Sequence, residues 1–288
     1  MKHTLTLLLL AFAQLVVAQT PLSLSDAVQR GLENNYQIRI ATNNVAVANS
    51  NDDWALAGRY PTVNLSVTPG VSYRNNTNPA SIVSSSTVTS YSVSPGASLN
   101  WTLFNGRRVE YTKNQLEKNV DLSEGELKLQ VENTVQEITQ AYYNGLVQRE
   151  RIDVLKEVLT LSRDQIEYQE IRKEYGRSGT FEELQARDAY LSDSTNLILQ
   201  ELAYETAIRN LLFAMGENDP NLSISLSDEL QDQPSPYNRD DLTTRLLAGN
   251  RTLQNLLVNR ELANLNTKLA ETANAPLISL VSGLNYGI

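Results

Sequence analysis

Residues 109–175 keep a helical hydrophobic pattern for 67 positions without a proline. Leu127, Val131, Val135, Ile138 and Tyr142 step by three or four, and so do Ile152, Leu155 and Leu159. At 1.5 Å rise per residue such a helix is roughly 100 Å long, several times the usual length in a globular domain. A seam sustained that far fits a coiled coil better than the core of a small domain. Gly125 and Gly145 are its weak points on helix propensity. The pattern breaks at "YGRSGT" (residues 175–180) and resumes over 181–215, where Leu184, Leu191 and Ile198 are seven apart. A short glycine-containing break between two periodic segments predicts an antiparallel helical hairpin.

Upstream of the long helix the period is two. Val63, Leu65, Val67, Pro69, Val71 and Tyr73 alternate with Thr62, Asn64, Ser66, Thr68, Gly70 and Ser72. Tyr91, Val93, Pro95, Ala97, Leu99, Trp101 and Leu103 alternate with serine, glycine, asparagine and threonine in the same way. Strands are therefore predicted at 62–74 and 91–104, with an Asn- and Ser-rich loop between them. A dozen residues with one oily face suit tilted strands crossing a bilayer, which need about 9–11 residues each. The same alternation also fits a soluble hairpin laid on a core, and Pro69 and Pro95 each lack a ladder donor. Tyr60, Trp101 and Phe104 fall near one end of the pair, and Tyr73 and Tyr91 near the other, as aromatics do at a membrane interface. A first helix is predicted over 22–58. It breaks near Asn34-Asn35, has Ile40, Val47 and Trp54 seven apart, and ends at Tyr60-Pro61.

Lys2 and His3 precede an apolar run from Leu5 to Val17, followed by small residues before a cleavage point after Ala18. Residues 1–18 read as a secretory signal. The chain has no cysteine, and its single histidine, His3, leaves with that signal. Thiolate and imidazole chemistry is thereby excluded from the mature chain, whether as nucleophile, general base or metal ligand. The net charge of −9 makes a poor partner for nucleic acid. Asp52-Asp53, Glu182-Glu183 and Asp240-Asp241 are sequence neighbours, which point apart on a helix and so form no acid/base pair. No phosphate loop, dinucleotide fingerprint or zinc spacing occurs. The chain is expected not to be an enzyme and to need no cofactor.

Residues 216–239 contain Pro220, Pro234 and Pro236 and read as a linker. Beyond it the first segment returns. A single offset of 215 superimposes Asp26 on Asp241, Asn35 on Asn250, Ala48 on Ala263, Pro61 on Pro276, Val63 on Ile278 and Leu65 on Leu280. The first repeat is thus 19–239, and 240–288 is an incomplete second one, stopping inside its first strand. The expectation is a fragment or truncated chain that alone neither trimerises nor conducts.

The stretches "LSLSDAVQRGLENNYQIR", "AGRYPTVNLSV", "WTLFNGRR" and "YGRSGTFEELQARDAYL", in this order and spacing, resemble the TolC family of outer-membrane efflux proteins. The resemblance implies an α+β chain: a long antiparallel coiled-coil tunnel segment joined to a transmembrane β-hairpin. In the family two such repeats make a protomer, and three protomers share a twelve-strand barrel continued by a helical tunnel. It implies a passive export conduit across periplasm and outer membrane, serving a tripartite efflux or type I secretion system. The implied partners are outer-membrane lipid, two further copies in a homotrimer, a periplasmic adaptor and an inner-membrane transporter of RND or ABC type. Pro61, Asn105 and Gly106 would form the joins between barrel and helix, with Arg107 and Arg108 just outside the hydrocarbon. Gly176, Arg177, Ser178, Gly179, Thr180 and Leu184 would form the tip that meets the adaptor, Arg177 standing where a small or apolar residue is expected. The rival reading is a soluble periplasmic coiled-coil scaffold or adaptor, with 109–215 as its hairpin and 62–104 as a water-exposed or core-packed sheet. Adaptors usually flank that hairpin with compact β domains, which these flanks do not resemble.

Overall fold

The computed structural model describes residues 20–76, 86–220, 222–230 and 238–287. The signal segment, the middle of the loop between the strands, and Pro234 and Pro236 lie outside them. In chain order the elements are β1 (Thr20–Leu22), α1 (Leu24–Asn34), α2 (Tyr36–Asn51), β2 (Thr62–Asn76), β3 (Ser86–Phe104), α3 (Arg108–Glu174), α4 (Thr180–Met215), β4 (Ile224–Leu226), α5 (Arg239–Gly249), α6 (Arg251–Glu271), a 3-10 turn (Thr272–Asn274) and β5 (Ile278–Asn285). β1 pairs with β4 in parallel, while β2, β3 and β5 form an antiparallel sheet in that order.

Contacts divide the chain into two units, Met1–Thr42 with Leu127–Ala248, and Asn43–Glu126 with Gly249–Ile288. This division does not follow the repeat boundary expected at 239/240. The reason is that α6, which lies beyond that expected boundary, packs beside the early turns of α3. Lys118 bridges to Glu261 at 3.0 Å, Gln115 Nε2 donates to Asn266 at 2.8 Å, and Asn255 lies against Gly125.

In the first unit the core gathers Leu22, Ala27, Ile138, Tyr142, Leu146, Leu211, Leu212 and Met215 around the β1–β4 pair. The Tyr142 hydroxyl donates to the Leu22 carbonyl at 2.9 Å, and burial pushes that phenol's pKa up. Arg149 donates to the carbonyls of Leu226 and Asp228 at 2.6 and 2.8 Å, while the Asp228 carboxylate accepts from Leu24 N at 2.9 Å. These bonds tie both short strands to α1 and α3. A strand within the predicted linker is therefore a correction. Three residues carry no periodicity, and β4 exists because Thr20–Leu22 lies alongside it.

The predicted helix 22–58 is two helices. Asn35 ends the first, its Oδ1 accepting from the N–H groups of Gln37 and Ile38 at 2.8 and 3.2 Å, while its Nδ2 donates to the Ala214 carbonyl at 2.9 Å. Asn250, which the sequence offset of 215 sets against Asn35, caps α6 through a bond from Leu253 N at 2.8 Å. Both asparagines use the short side chain that favours helix N-termini. The second helix ends at Asn51, nine residues before Tyr60. Asp53 Oδ1 takes the Ala55 N–H at 2.8 Å in an Asx-type turn, and the Asp52 carboxylate is drawn to Lys113 at 2.7 Å. Ile40 and Val47 are exposed rather than buried in a seam.

Two other expectations are corrected. Gly125 and Gly145 are close approaches rather than weak points: a side chain at Gly125 would strike Asn255, and one at Gly145 would come within 2.9 Å of Leu226. Leu184, Leu191 and Ile198 are all more than half exposed. α4 instead turns Ala186, Tyr190, Asp193, Leu197 and Gln200 inward, and α3 turns Ile152, Leu155, Leu159, Ser162, Ile166 and Gln169. Ser162 bonds Asp193, Gln200 bonds Gln148 at 2.7 Å and Arg187 bonds Glu170 at 2.8 Å, so the two helices run antiparallel.

Candidate functional site

In the second unit the hairpin is longer than its hydrophobic alternation. β2 pairs with β3 through an unbroken register from Thr62↔Asn100 to Asn76↔Ser86. The predicted loop loses residues 86–90 to strand, because β-branched Thr87, Val88 and Thr89 pair with Asn75, Arg74 and Tyr73. Partners in an antiparallel pair share a face. One face thus joins Val63 with Leu99, Leu65 with Ala97, Val67 with Pro95, Pro69 with Val93 and Val71 with Tyr91. β5 extends it, setting Leu280 beside Trp101 and Leu284 beside Ala97. The opposite face joins Asn64 with Ser98, Thr68 with Ser94 and Ser72 with Ser90, interrupted by Val88 and Val281. Pro95 is tolerated in the central strand, where its carbonyl still accepts from Tyr286 N at 3.0 Å.

Neither face is covered by the described residues: Leu65 is 81% exposed and Leu284 78%. The apolar stretch from Val63 to Tyr73 is about 33 Å along the strand, or about 25 Å high at a tilt near 40°. Tyr73 and Tyr91 sit two rungs apart at one end of it. At the other end a bulge between Thr102 and Phe104 sets Phe104 opposite Ile278. Trp101 Nε1 donates to the Arg59 carbonyl at 3.1 Å there, and Tyr60 is exposed just ahead of Pro61.

The join to α3 takes three residues. Asn105 accepts from Arg108 N through its carbonyl at 3.2 Å and from Val109 N through its side chain at 3.4 Å. Gly106 has φ +66°, and a Cβ there would strike Ala275, so two independent constraints demand glycine. Arg107 follows with φ +68°, a left-handed conformation costing a non-glycine residue roughly 1–2 kcal/mol. Its guanidinium bridges to Glu110 at 2.7 Å. Further along α3, the hydrogen bonds that the Lys113 ammonium donates to Asp52 and then to Glu117 hold it above the usual lysine range.

The tip lies in the first unit. Arg177 N donates to the Arg172 carbonyl at 2.8 Å and Gly176 N to the Lys173 carbonyl at 2.9 Å, with Gly176 at φ +65°. This is a Schellman ending, which asks for glycine at that place. Arg177 is the residue after it and contributes its backbone, so its side chain is not part of the turn. Ser178 Oγ donates to Gln169 at 3.0 Å, and Glu182 reaches back to accept from Gly179 N at 2.9 Å as α4 begins at Thr180. Across the hairpin, Lys173 and Arg187 both bond Glu183, at 2.7 and 2.9 Å, and Arg187 also bonds Glu170. Lys173 first, and Arg187 after it, hold the Glu183 carboxyl below its ordinary range. Tyr175, Phe181 and Leu184 are exposed around this network, and a Cβ at Gly176 would meet open space.

A family model described as outer membrane efflux protein matches residues 27–217. This chain belongs to the outer membrane efflux protein family. The matched residues run from α1 through the hairpin and both long helices to the end of α4, so they include sheet, join and tip. Among solved structures, the efflux-family chain is similar to the Campylobacter jejuni CmeC outer membrane channel, at a TM-score of 0.69 and 17% identity, covering 92% of this chain and 60% of that one. It is similar to the outer membrane protein VceC of Vibrio cholerae, at 0.69 and 14%, covering 92% and 62%. A third likeness is to CusC, studied for folding and transmembrane channel formation, at 0.64 and 21%, covering 92% and 60%. At these identities the likeness is one of fold, mostly helical with a few strands. The chain spans about 60% of the length of these channels. A comparison with curated protein sequences finds no match. No helix among the described residues is long and apolar enough to cross a membrane, which leaves a β-barrel untouched.

The structure brings the aromatics to the two ends of the apolar face and gathers residues 176–180 in one turn. Three features escaped the sequence. Arg107 carries no mark of its left-handed backbone. The Glu170–Arg187–Glu183–Lys173 network could have been sought as charges facing across a predicted hairpin. Trp54 and Arg59 end up beside Trp101 because the chain after Asn51 turns instead of continuing as a helix.

Proposed function

We propose that this chain is a component of an outer-membrane export channel, its strands part of a barrel wall and its long helices part of a periplasmic tunnel. The observation that carries the reading is the sheet. One face is apolar over about 25 Å, the height of the lipid-facing band of outer-membrane barrels, and within four residues the same chain becomes a 67-residue helix. Open strand edges cannot face lipid, so the sheet has to close with further strands. Three protomers contributing four strands each, as the family resemblance implies, satisfy this. Tyr60, Trp101 and Phe104 then mark the periplasmic interface and Tyr73 and Tyr91 the outer one. Pro61, Asn105 and Gly106 redirect the chain between wall and tunnel. Serine, threonine and asparagine on the other face keep the lumen wet.

Transport is passive conduction, and the chemistry of catalysis plays no part in it. Energy comes from an inner-membrane transporter of RND or ABC type. A periplasmic adaptor docks at residues 176–180 and Leu184, where glycine backbone and exposed Phe181 and Leu184 offer a surface. Opening follows when adaptor contacts separate the tips. Fractionation tests the reading: recovery in detergent extracts of the outer membrane is expected, and recovery as a free periplasmic protein overturns it in favour of a soluble scaffold.

A further inference from the structure

We propose that the pocket at the α3 end of the sheet seats one anionic phospholipid, its phosphodiester on Arg59 and an acyl chain along the apolar face. The inference rests on the membrane reading above and goes beyond it. The pocket has a volume of about 460 Å³ and is walled by Trp54, Trp101 and Phe104, with Arg59, Arg107 and Glu110 at its polar side. The two arginines differ. Arg107 is held by Glu110 at 2.7 Å, which cancels its charge locally. The Arg59 guanidinium lies 4.7 Å over the Trp54 ring and has no ion pair among the described residues. Lys113, on the same indole at 5.8 Å, is already committed to Asp52 and Glu117. Of these three cations, Arg59 alone has no carboxylate partner among the described residues, and it is the one left to meet a single phosphodiester.

Geometry favours a lipid over a free anion. An arginine stacked on an aromatic ring offers a preorganised planar fork for phosphate oxygens. The bond from Trp101 Nε1 to the Arg59 carbonyl fastens the segment carrying Arg59 to the end of β3. Trp101 shares its face with Leu99, Ala97 and Leu280, so an acyl chain leaving the pocket continues onto that surface. The bulge that sets Phe104 opposite Ile278 adds a second ring there. Walls of this kind offer nothing to a hydrated inorganic ion. A zwitterionic headgroup brings an ammonium that Arg59 repels and that Glu110, occupied by Arg107, does not receive.

The chain has only two tryptophans, Trp54 and Trp101, and both line the pocket, so intrinsic fluorescence reads it directly. The protein in detergent micelles is titrated with phosphatidylglycerol carrying brominated acyl chains, and in parallel with phosphatidylcholine carrying the same chains. The expected result is half-maximal quenching at an about fivefold lower fraction of the anionic lipid, the size of effect one interfacial cation gives. Arg59→Gln is expected to abolish the difference and Arg59→Lys to keep part of it, while millimolar inorganic phosphate leaves the titration unmoved. Equal quenching by the two lipids, or a preference that survives Arg59→Gln, overturns the inference and leaves the membrane reading standing. Competition by inorganic phosphate also overturns it, in favour of a plain anion site. Absence of quenching by either lipid instead overturns the membrane reading itself.

Discussion

The core of the helical unit and the apolar face of the sheet are built from the same side chains and treat them in opposite ways. Tyr142, Leu146, Leu211 and Leu212 are closed off from solvent by the chain itself. Leu65, Val67, Val71 and Leu284 are as apolar and stand exposed. Each carries the usual penalty of roughly 25 cal/mol for every Å² of apolar surface left in water. A contiguous exposed face of this kind marks contact with another molecule or with a membrane. Hydrophobic patterning thus identifies which face wants to leave water, but not what will cover it. In one unit the described residues supply the covering, and in the other they leave the apolar face open.

The largest effect that tests this contrast is a truncation on each side. Leu211→Ala should destabilise the helical unit by about 3 kcal/mol, as a fully closed leucine does when replaced by alanine. Leu65→Ala should change the same denaturation midpoint hardly at all. Comparable losses, followed by helical circular dichroism, would erase the distinction. The next effect sets the two faces of the sheet against each other. Leu65→Arg should cost about 2–4 kcal/mol in the folding equilibrium measured in lipid vesicles, the penalty for a cation facing mid-bilayer. Ser66→Arg, on the other face, should cost well under half of that. Equal penalties would mean that both faces see the same medium.

The smallest effect belongs to the tip. Lys173 and Arg187 lower the Glu183 pKa, so the folded chain binds that proton less readily than the unfolded one. The stabilisation from the pairing is complete above the ordinary glutamate range and is lost as pH falls through the lowered folded value. A spin label at Arg177→Cys should become more mobile in acid. Glu183→Gln should give that mobility at neutral pH, and a spectrum of the unsubstituted tip that ignores pH would contradict the assignment. The pairs are exposed, which keeps the effect small.

Much of this architecture is legible in the sequence, and for a physical reason. A seam repeated over 67 residues and a period-two face repeated over eleven leave few alternatives. Local chemistry overrode pattern where the two met. Trp54 extends the seven-residue spacing of Ile40 and Val47, yet Asp52 and Asp53 spend their side chains on Lys113 and on the turn, and the helix stops. β4 cannot be read from Ile224, Ser225 and Leu226, because its partner lies some 200 residues earlier in the chain. Gly125 and Gly145 look like flaws in a helix until Asn255 and Leu226 are seen resting on them. The turn at the tip was legible from its glycines, while the four-charge network across it depends on the register between two helices, which no spacing along one of them reveals.

The central claim is that the odd-numbered face of β2 and β3 meets lipid while its even-numbered partner meets water. The chain lacks cysteine, so single substitutions report cleanly. Leu65→Cys, Leu99→Cys, Ser66→Cys and Ser98→Cys, each in the protein in outer-membrane vesicles, are exposed to a membrane-impermeant maleimide. Rapid labelling at 66 and 98 with protection at 65 and 99 is the predicted result, and equal labelling at all four, or the reverse order, would contradict the account.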